Sequence, residues 1–384
     1  MDNTPKARLP PEVIMSIVES LIPETTSHSR PIFPASHLVT KTLLDLRLVS
    51  KAVYSIASRL LWQNCLRIES TKTLHLFCDF ISRESVTGRM PCEAYGSTRL
   101  FLAPFNSPSF CLRWGNPTDG EAREEAINPS VDKYPPWFHA LKDEKTAEAV
   151  KKVLITLAPV LKAIIVDLPL KSLYHENYHP VQNLLREGFE ALVNVEELVS
   201  IYGELSWDIA WDRSEPEIWT KWPKLQRLAL HNVQNGPQLW KNMILCPELE
   251  MVVLPHADFR DSQMEPTDVS AVNIKDDWSR AWTEATSQQT MSFEDRIPYQ
   301  GREVLIAFCE SLTGLPSFDA FTDSWERLDP DNRICITAMP PYQQHHPDYE
   351  HNLMILRSTW MKDRALRGLL WDDVYRYAVV NLEE

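Results

Sequence analysis

Four residues between positions 345 and 351 have side chains of types that bind metal ions. His345, His346, Asp348 and His351 supply three imidazoles and one carboxylate, and both groups are frequent metal ligands. The segment is polar and flanked by proline, and no helical pattern would bring the side chains to one point. It therefore indicates a solvated surface loop. We predict no metal site and no cofactor.

The sequence contains no established catalytic pattern. HExxH, GxSxG and GxxxxGK[ST], which mark zinc proteases, serine hydrolases and phosphate-binding loops, are all absent. Acidic pairs occur at 276–277 and 372–373, but acids are abundant throughout this chain. Such pairs are more typical of solvated surface than of general acid–base catalysis. We therefore predict that no residue is catalytic and that the protein is not an enzyme.

The cysteines are odd in number, widely spaced and free of any CxxC motif. They are Cys65, Cys78, Cys92, Cys111, Cys246, Cys309 and Cys335. This distribution is typical of reduced thiols in the cytosol or nucleus and does not support a zinc site.

The net charge is −14, from 39 basic and 53 acidic residues among 384. A field of that sign repels phosphate backbones, so we expect no nucleic-acid partner. No apolar run approaches the roughly 20 residues that a membrane-spanning helix needs. The first residues also lack the apolar core of a signal peptide. We expect no membrane association and a location in the cytoplasm, the nucleus or both.

Two apolar patterns near the start of the sequence predict helices. Residues 11–21 (PEVIMSIVESL) form one apolar stripe, with Pro11 suited to the first helical turn. Residues 42–62 (TLLDLRLVSKAVYSIASRLLW) predict a longer helix that begins at a Thr42–Asp45 capping box and is apolar on more than one side. Such a helix needs cover on more than one side, from the rest of the chain or from a partner.

These segments resemble an F-box in the form common among fungal F-box proteins. Leu9-Pro10-Pro11-Glu12 and the apolar helix after it resemble the start of that motif. The sequence LRLVSK (46–51), followed by Tyr54 and Leu61-Trp62, resembles its second half. The match covers roughly residues 8–66, and the loop at about residues 23–41 is longer than is usual in the family.

The resemblance implies a three-helix motif that binds the Skp-type adaptor of a cullin ubiquitin ligase. The residues that match the family's adaptor-facing positions are Leu9, Pro10, Ile14, Val49, Lys51 and Tyr54. The alternative is an ordinary N-terminal helical hairpin packed on its own core.

Four later segments align on the pattern x-x-L-x-x-L-x-L, where L is any aliphatic residue. The first aliphatic position is Leu161, Val195, Leu225 and Leu249, and Ser200 of the second segment is the exception at the third position. They are PVLKAIIV (159–166), NVEELVSI (194–201), PKLQRLAL (223–230) and PELEMVVL (247–254). The alternating end of each segment predicts a short strand, and helical patterns at 147–157 and 181–192 precede the first two. The units recur roughly every 24 to 34 residues, near the spacing of leucine-rich repeats. Residues 97–105, 303–310 and 333–341 predict further strands.

The pattern resembles the degenerate leucine-rich-repeat-like half common in fungal F-box proteins. We therefore predict an α/β fold, with an F-box-like helical motif at 8–66 and an irregular solenoid of short parallel strands and helices at 67–340. A loop and a capping helix near 353–377 follow, at 341–384. The alternative is a generic α/β domain whose four strands are similar by chance.

Tryptophans cluster between two of the predicted strands, at Trp207, Trp211, Trp219 and Trp222. They indicate either aromatic packing under a long loop or a recognition surface, because tryptophan is frequent at binding hot spots. We assign Trp207, Trp211 and Trp219 as candidate target-binding residues.

Three functions remain to be distinguished. The first is the substrate-recognition subunit of an SCF-type (Skp-cullin-F-box) E3 ubiquitin ligase, with an unknown target protein on the repeat domain. The second is an interaction scaffold whose N-terminal helices only cap the repeats. The third is an enzyme with an α/β core that uses the histidine cluster or scattered acids. The second predicts that the adaptor-facing residues are buried under the repeats, whereas the first predicts that they are exposed.

Overall fold

The computed structural model describes most of the chain in thirteen segments. They are residues 10–23, 29–85, 88–105, 143–168, 179–201, 216–231, 233–234, 236–255, 257–258, 273–287, 298–309, 322–339 and 349–383. No helix in these segments combines the length and the apolar character that crossing a bilayer requires.

The described residues contain twelve α-helices and one 3-10 helix at Ile218–Lys221. The helices are α1 (Pro11–Glu19), α2 (Leu38–Leu46), α3 (Lys51–Asn64), α4 (Thr71–Ile81), α5 (Pro91–Tyr95), α6 (Glu144–Leu157), α7 (His179–Glu190), α8 (Pro237–Ile244), α9 (Ile274–Ser287), α10 (Thr322–Leu328), α11 (Tyr349–Leu366) and α12 (Leu370–Glu383).

Short polar side chains begin several of these helices. Ser50 accepts a hydrogen bond from the Val53 amide at 3.3 Å, at the start of α3. Ser70 does the same for α4, and Asp143 accepts from two amides of the first turn of α6. Each cap satisfies amides that have no partner inside the helix, which is typically worth about 1 kcal/mol.

Among the described residues, eight strands form one sheet in which every pairing is parallel, so the fold is α/β. The strands of this sheet are β1 (Arg67–Ile68), β2 (Thr98–Leu102), β3 (Leu161–Val166), β4 (Glu197–Ser200), β5 (Arg227–Leu230), β7 (Met251–Leu254), β9 (Val304–Phe308) and β10 (Ile334–Ala338). Their order in the sheet is their order in the chain. Two further short strands, β6 (Val233–Gln234) and β8 (Ala257–Asp258), pair with each other in parallel.

The register confirms the alignment of the four aliphatic segments. Ile164 pairs with Leu198, Leu198 with Leu228, and Leu228 with Val252. These four residues occupy the second aliphatic position of the pattern, and all are buried. The three further strands predicted near 97–105, 303–310 and 333–341 are also present, as β2, β9 and β10.

One face of the sheet packs against helices α4, α6, α7, α8 and α9 in the main core. Leu100, Ile164 and Leu198 belong to this core, as do Val150 and Val153 of α6 and Trp240 of α8. Parallel sheets are normally covered on both faces, and the helices named here occupy only one face of this sheet.

The opposite face is covered by the C-terminal helices. Alternate strand residues, including Phe101, Ile165 and Val199, form a second core with Met361 of α11 and Trp371 of α12. The expected single capping helix near 353–377 is therefore two helices, and they lie on a face of the sheet. The break lies at Gly368, whose φ of +71° favours glycine.

The segment before α2 also enters this second core. Ile32 is buried there, and its amide donates to the Leu366 carbonyl oxygen at 2.7 Å. The Phe33 amide donates to the Asn64 carbonyl oxygen at the end of α3. The long loop of the sequence pattern thus contains a buried anchor at 29–33, which ties the N-terminal helices to the C-terminal ones.

Candidate docking surface and charged cavity

Helices α1, α2 and α3 share a small core of their own. Val18, Leu43, Val53, Ala57 and Leu60 are buried in it. The predicted helix at 42–62 is two helices, because the chain turns at 47–50 and α3 starts at the Ser50 cap. The predicted Thr42–Asp45 capping box is wrong: α2 begins four residues earlier, where His37 Nδ1 accepts from the Val39 amide at 3.2 Å.

Large apolar side chains remain outside this core. Leu48 is 88% exposed and Val49 68% exposed, both in the turn between α2 and α3, and Leu38 at the start of α2 is 76% exposed. On α1, Val13 and Ile17 are also exposed, and their i, i+4 spacing puts them on one helix face. Exposed apolar side chains concentrated in one unit mark a surface that another protein can cover.

The six proposed adaptor-facing residues are distributed over this unit. Leu9 lies outside the described residues. Pro10, Val49 and Lys51 are exposed, whereas Ile14 is half-buried against the small core. Tyr54 is half-buried. Val49, Lys51 and Tyr54, three of the six residues, therefore lie close together around the start of α3.

Tyr54 is held by Arg47, the residue that ends α2. Arg47 Nη2 donates to the Tyr54 hydroxyl at 3.1 Å, and its guanidinium lies 4.9 Å from the centre of the tyrosine ring. Burial alone would raise the pKa of Tyr54, but hydrogen bonds with Arg47, Tyr95 and Ser58, together with the positive charge of Arg47, outweigh burial and lower the pKa. This contact fixes the geometry of the turn that presents Leu48 and Val49.

The last turn of α3 joins the helical unit to the sheet. Trp62 is buried in the main core, and its Nε1 donates to the Gly96 carbonyl oxygen at 2.9 Å. Its own carbonyl oxygen accepts from Thr98 Oγ1 in β2 at 2.5 Å. The Leu-Trp end of the predicted motif is therefore an attachment point, and the exposed turn lies at the opposite end of the same helix.

The most exposed residues, Leu38 and Leu48, are absent from the set derived from the sequence. The sequence contains a signal for Leu48 alone, which falls outside the apolar stripe predicted to begin at Val49. Periodicity did not identify Leu48 as a surface residue, because Leu48 and Val49 continue the apolar pattern through the turn at 47–50.

The candidate target-binding residues have different outcomes. Trp207 and Trp211 lie outside the described residues. The structure does not agree with the assignment of Trp219, because its side chain is fully buried in the main core; packing is its role. Trp222 is also buried, and its Nε1 donates to the Phe189 carbonyl oxygen at 2.9 Å.

Among the described residues, no group of three His, Cys, Asp or Glu side chains converges to hold a metal ion. The segment 340–348, with His345, His346 and Asp348, lies outside those residues, as does the side chain of His351. The six described cysteines form no disulfide. Burial raises the pKa of the Cys246 thiol to about 12, which keeps that thiol protonated and unreactive.

A charged cavity of about 1020 Å³ lies between the N-terminal ends of β2 to β7 and helix α12. Glu197 of β4 is its buried centre. Arg99 Nη2 of β2 donates to Glu197 Oε2 at 2.8 Å, and Arg227 of β5 forms a second ion pair with Glu197 Oε1. Ser29 Oγ and Trp371 Nε1 also donate to Glu197 Oε2, at 3.1 and 3.3 Å.

The charges decide the ionisation of Glu197. Burial alone would raise its pKa, but the charges of Arg99 and Arg227, with the hydrogen bonds from Arg99 and Trp371, outweigh burial and lower the pKa. The carboxylate is therefore ionised at neutral pH. Ala163 lies between Arg99 and Glu197 in the register, and its small side chain leaves room for the arginine to reach across β3.

Comparison with protein-family models finds no matching family, and comparisons with curated proteins and with solved structures find no match.

Proposed function

We propose that this protein is the substrate-recognition subunit of an SCF-type E3 ubiquitin ligase. Helices α1 to α3 act as an F-box and bind a Skp-type adaptor. The strands and helices that follow act as an irregular leucine-rich-repeat-like solenoid that holds a target protein. The observation that carries the proposal is the exposed apolar turn at Leu48 and Val49, in a helical unit whose own core is complete.

The mechanism is proximity, and no residue of this chain performs chemistry. An adaptor on α1 to α3 links the chain to the ligase, and the target's lysines are brought to a high effective concentration beside the ubiquitin-conjugating enzyme. The proposal implies an intracellular protein, in the cytoplasm, the nucleus or both, with no nucleic acid or membrane among its partners.

The alternative is a scaffold whose N-terminal helices serve only as a cap on the repeats. A cap of that kind would bury Pro10, Val49 and Lys51 against the sheet or its helices. Their exposure favours a partner protein instead. Trp62 already attaches the N-terminal helices to the sheet, so the exposed residues are not needed for that attachment.

The test is a pull-down of a purified Skp-type adaptor by the purified chain. We expect Val49→Asp with Lys51→Glu to reduce binding at least about tenfold, because an unpaired carboxylate would be buried in an apolar interface. The matched control is Leu76→Asp with Lys72→Glu on α4, where both residues are also exposed, and it should bind normally.

Circular dichroism is measured on every variant, so that loss of binding is not confused with loss of fold. If the folded wild-type chain does not retain the adaptor, or if both double variants weaken binding equally, the ubiquitin-ligase proposal is wrong. The scaffold would then be the better account.

A further inference from the structure

Four arginines from separate parts of the chain line the charged cavity. Arg30 is the exposed residue of the anchor at 29–33, Arg99 lies on β2, Arg227 on β5 and Arg376 on α12. Arginine guanidinium groups bind carboxylates through paired hydrogen bonds. Four guanidinium groups therefore line one cavity of a chain whose net charge is −14.

The inner part of the cavity presents two guanidinium groups. Arg99 and Arg227 both form ion pairs with the carboxylate of Glu197, and the three side chains are only 11%, 16% and 5% exposed. Their positive charges lie at the inner wall of the cavity, where they attract an anion that enters from the open side.

The outer part adds two arginines that are free to bind a ligand. Arg30 and Arg376 are exposed, and no ion pair or hydrogen bond joins either side chain to another described residue. Besides Glu197, three acids line the cavity, and one of them, Glu196, forms an ion pair with Lys162. Asp372 lies in the first turn of α12, where the helix dipole stabilises it, and Glu250 is exposed to solvent. The lining as a whole has one more basic residue than acidic.

The uncharged lining suits a peptide. Gln63, Gln226 and Ser97 offer amide and hydroxyl groups that can bond to a peptide main chain. Tyr375 is 64% exposed and offers an aromatic surface beside them. The volume is at the upper end of the range for small-molecule sites, and the lining is more polar than such sites usually are.

We propose that this cavity binds an extended peptide through an acidic side chain, whose carboxylate contacts Arg30 and Arg376 over the Arg99–Glu197–Arg227 group. The inference rests on the proposed function only in taking that peptide to belong to the target protein. The cavity lies at the N-terminal ends of the strands. The candidate target-binding residues Trp207 and Trp211 belong to a different part of the chain, the segment that follows the C-terminal end of β4.

The experiment measures fluorescence anisotropy of labelled hexaglutamate with the full chain at low salt. Hexaserine with the same label is the neutral comparison. We expect hexaglutamate to bind more tightly than hexaserine, and Arg30→Glu with Arg376→Glu to weaken it at least about tenfold. The matched control is Arg83→Glu with Arg89→Glu, two exposed arginines that do not line the cavity, and it should bind within about twofold of wild type.

Equal binding of the two peptides, or equal loss in both double variants, would overturn the proposal. A competition with citrate separates a peptide from a small anion. If citrate displaces hexaglutamate and a single glutamate binds as well as six, the site takes small anions and the peptide assignment is wrong. Adaptor binding is measured on the same Arg30 and Arg376 variant and should be unchanged, so the two proposals succeed or fail separately.

Discussion

The carboxylate of Glu197 joins segments that are far apart in the sequence. It accepts hydrogen bonds from Ser29 before α2, from Arg99 on β2 and from Trp371 on α12. Removal of one partner from a buried ion pair costs more than the pair itself contributes, because the remaining charge stays buried. The effect of this residue on stability should therefore exceed that of any surface ion pair.

We predict that Glu197→Gln lowers the free energy of unfolding by about 3–5 kcal/mol. The matched control is the adjacent Glu196→Gln, whose ion pair with Lys162 is about one-third exposed and should contribute less than about 1 kcal/mol. Urea denaturation of the three proteins measures both effects. Equal losses in the two variants would show that Arg99 and Arg227 do not depend on this carboxylate.

The pH dependence of stability follows from the lowered pKa of Glu197. Around its ordinary value of 4.5, the unfolded chain binds more protons than the folded one. The stabilisation is therefore complete above that pH and is lost as the pH falls through the folded pKa. We expect the free energy of unfolding to fall more steeply below pH 4.5 in wild type than in Glu197→Gln. Parallel curves would contradict this.

The sequence gives a partial signal for this residue. The aliphatic pattern treats position 197 as variable, so Glu197 carries no weight in it. The register then aligns Glu197 with Arg227, and Ala163 separates it from Arg99. A charged pair at matching positions of neighbouring strands would have been detectable. The contacts with Ser29 and Trp371 would not, because no local pattern connects them.

At the scale of the element, the buried anchor at 29–33 depends on the turn between α11 and α12. Gly368 has a φ of +71°, and a Cβ added there would lie 2.7 Å from the Ser29 carbonyl oxygen. Both the backbone conformation and the close approach therefore require glycine. A side chain at this position would push the anchor away from the sheet.

We predict that Gly368→Ala destabilises the protein by about 2–4 kcal/mol, since strain and a steric clash act together. Gly88→Ala is the matched control: Gly88 has nearly the same φ, +72°, with nothing within 4 Å of an added Cβ. It should cost only about 1 kcal/mol. Thermal denaturation monitored by circular dichroism gives both values. A smaller loss at 368 than at 88 would mean that the anchor moves freely.

The helices and strands were predictable where one apolar pattern coincided with one element. Strands β3, β4, β5 and β7 follow from alternation, and α6 and α7 from helical spacing. The division between α2 and α3 was not predictable, because Leu48 and Val49 continue the apolar pattern through the turn. The anchor was missed for a different reason: Ile32 is buried through contacts with Leu366, which no local pattern contains.

At the scale of the whole molecule, a single parallel sheet is buried on both faces by different parts of the chain. Helices between the strands cover one face, and α11, α12 and the anchor cover the other. Alternation predicted the strands β3, β4, β5 and β7, but it did not predict that the second set of side chains is apolar as well. It did not indicate which segment covers the second set. A helix that caps the end of a sheet and a helix that covers its face have the same amphipathic sequence.

We predict that deletion of residues 349–384 exposes the second face and not merely one end of the sheet. Phe101, Ile165 and Val199 would then contact water, and fluorescence of the dye ANS should increase at least about fivefold relative to the full-length chain. If these residues covered only the end of the sheet, their deletion would expose only β10, and ANS fluorescence would change little. Sedimentation velocity on the same samples separates dye binding to monomers from binding to aggregates.

The pairing of Ile32 with Leu366 also sets the order in which the chain can mature. During synthesis, the anchor leaves the ribosome about 330 residues before its partner, a delay of roughly 17–66 s at ordinary translation rates. The main core can form during this interval, strand by strand, because its contacts are between neighbours. The second face cannot close until the final helices are made. During that interval the apolar side chains on the second face of the sheet, from β2 to β9, remain uncovered in the nascent chain. We expect chaperones to bind this face until the final helices are made.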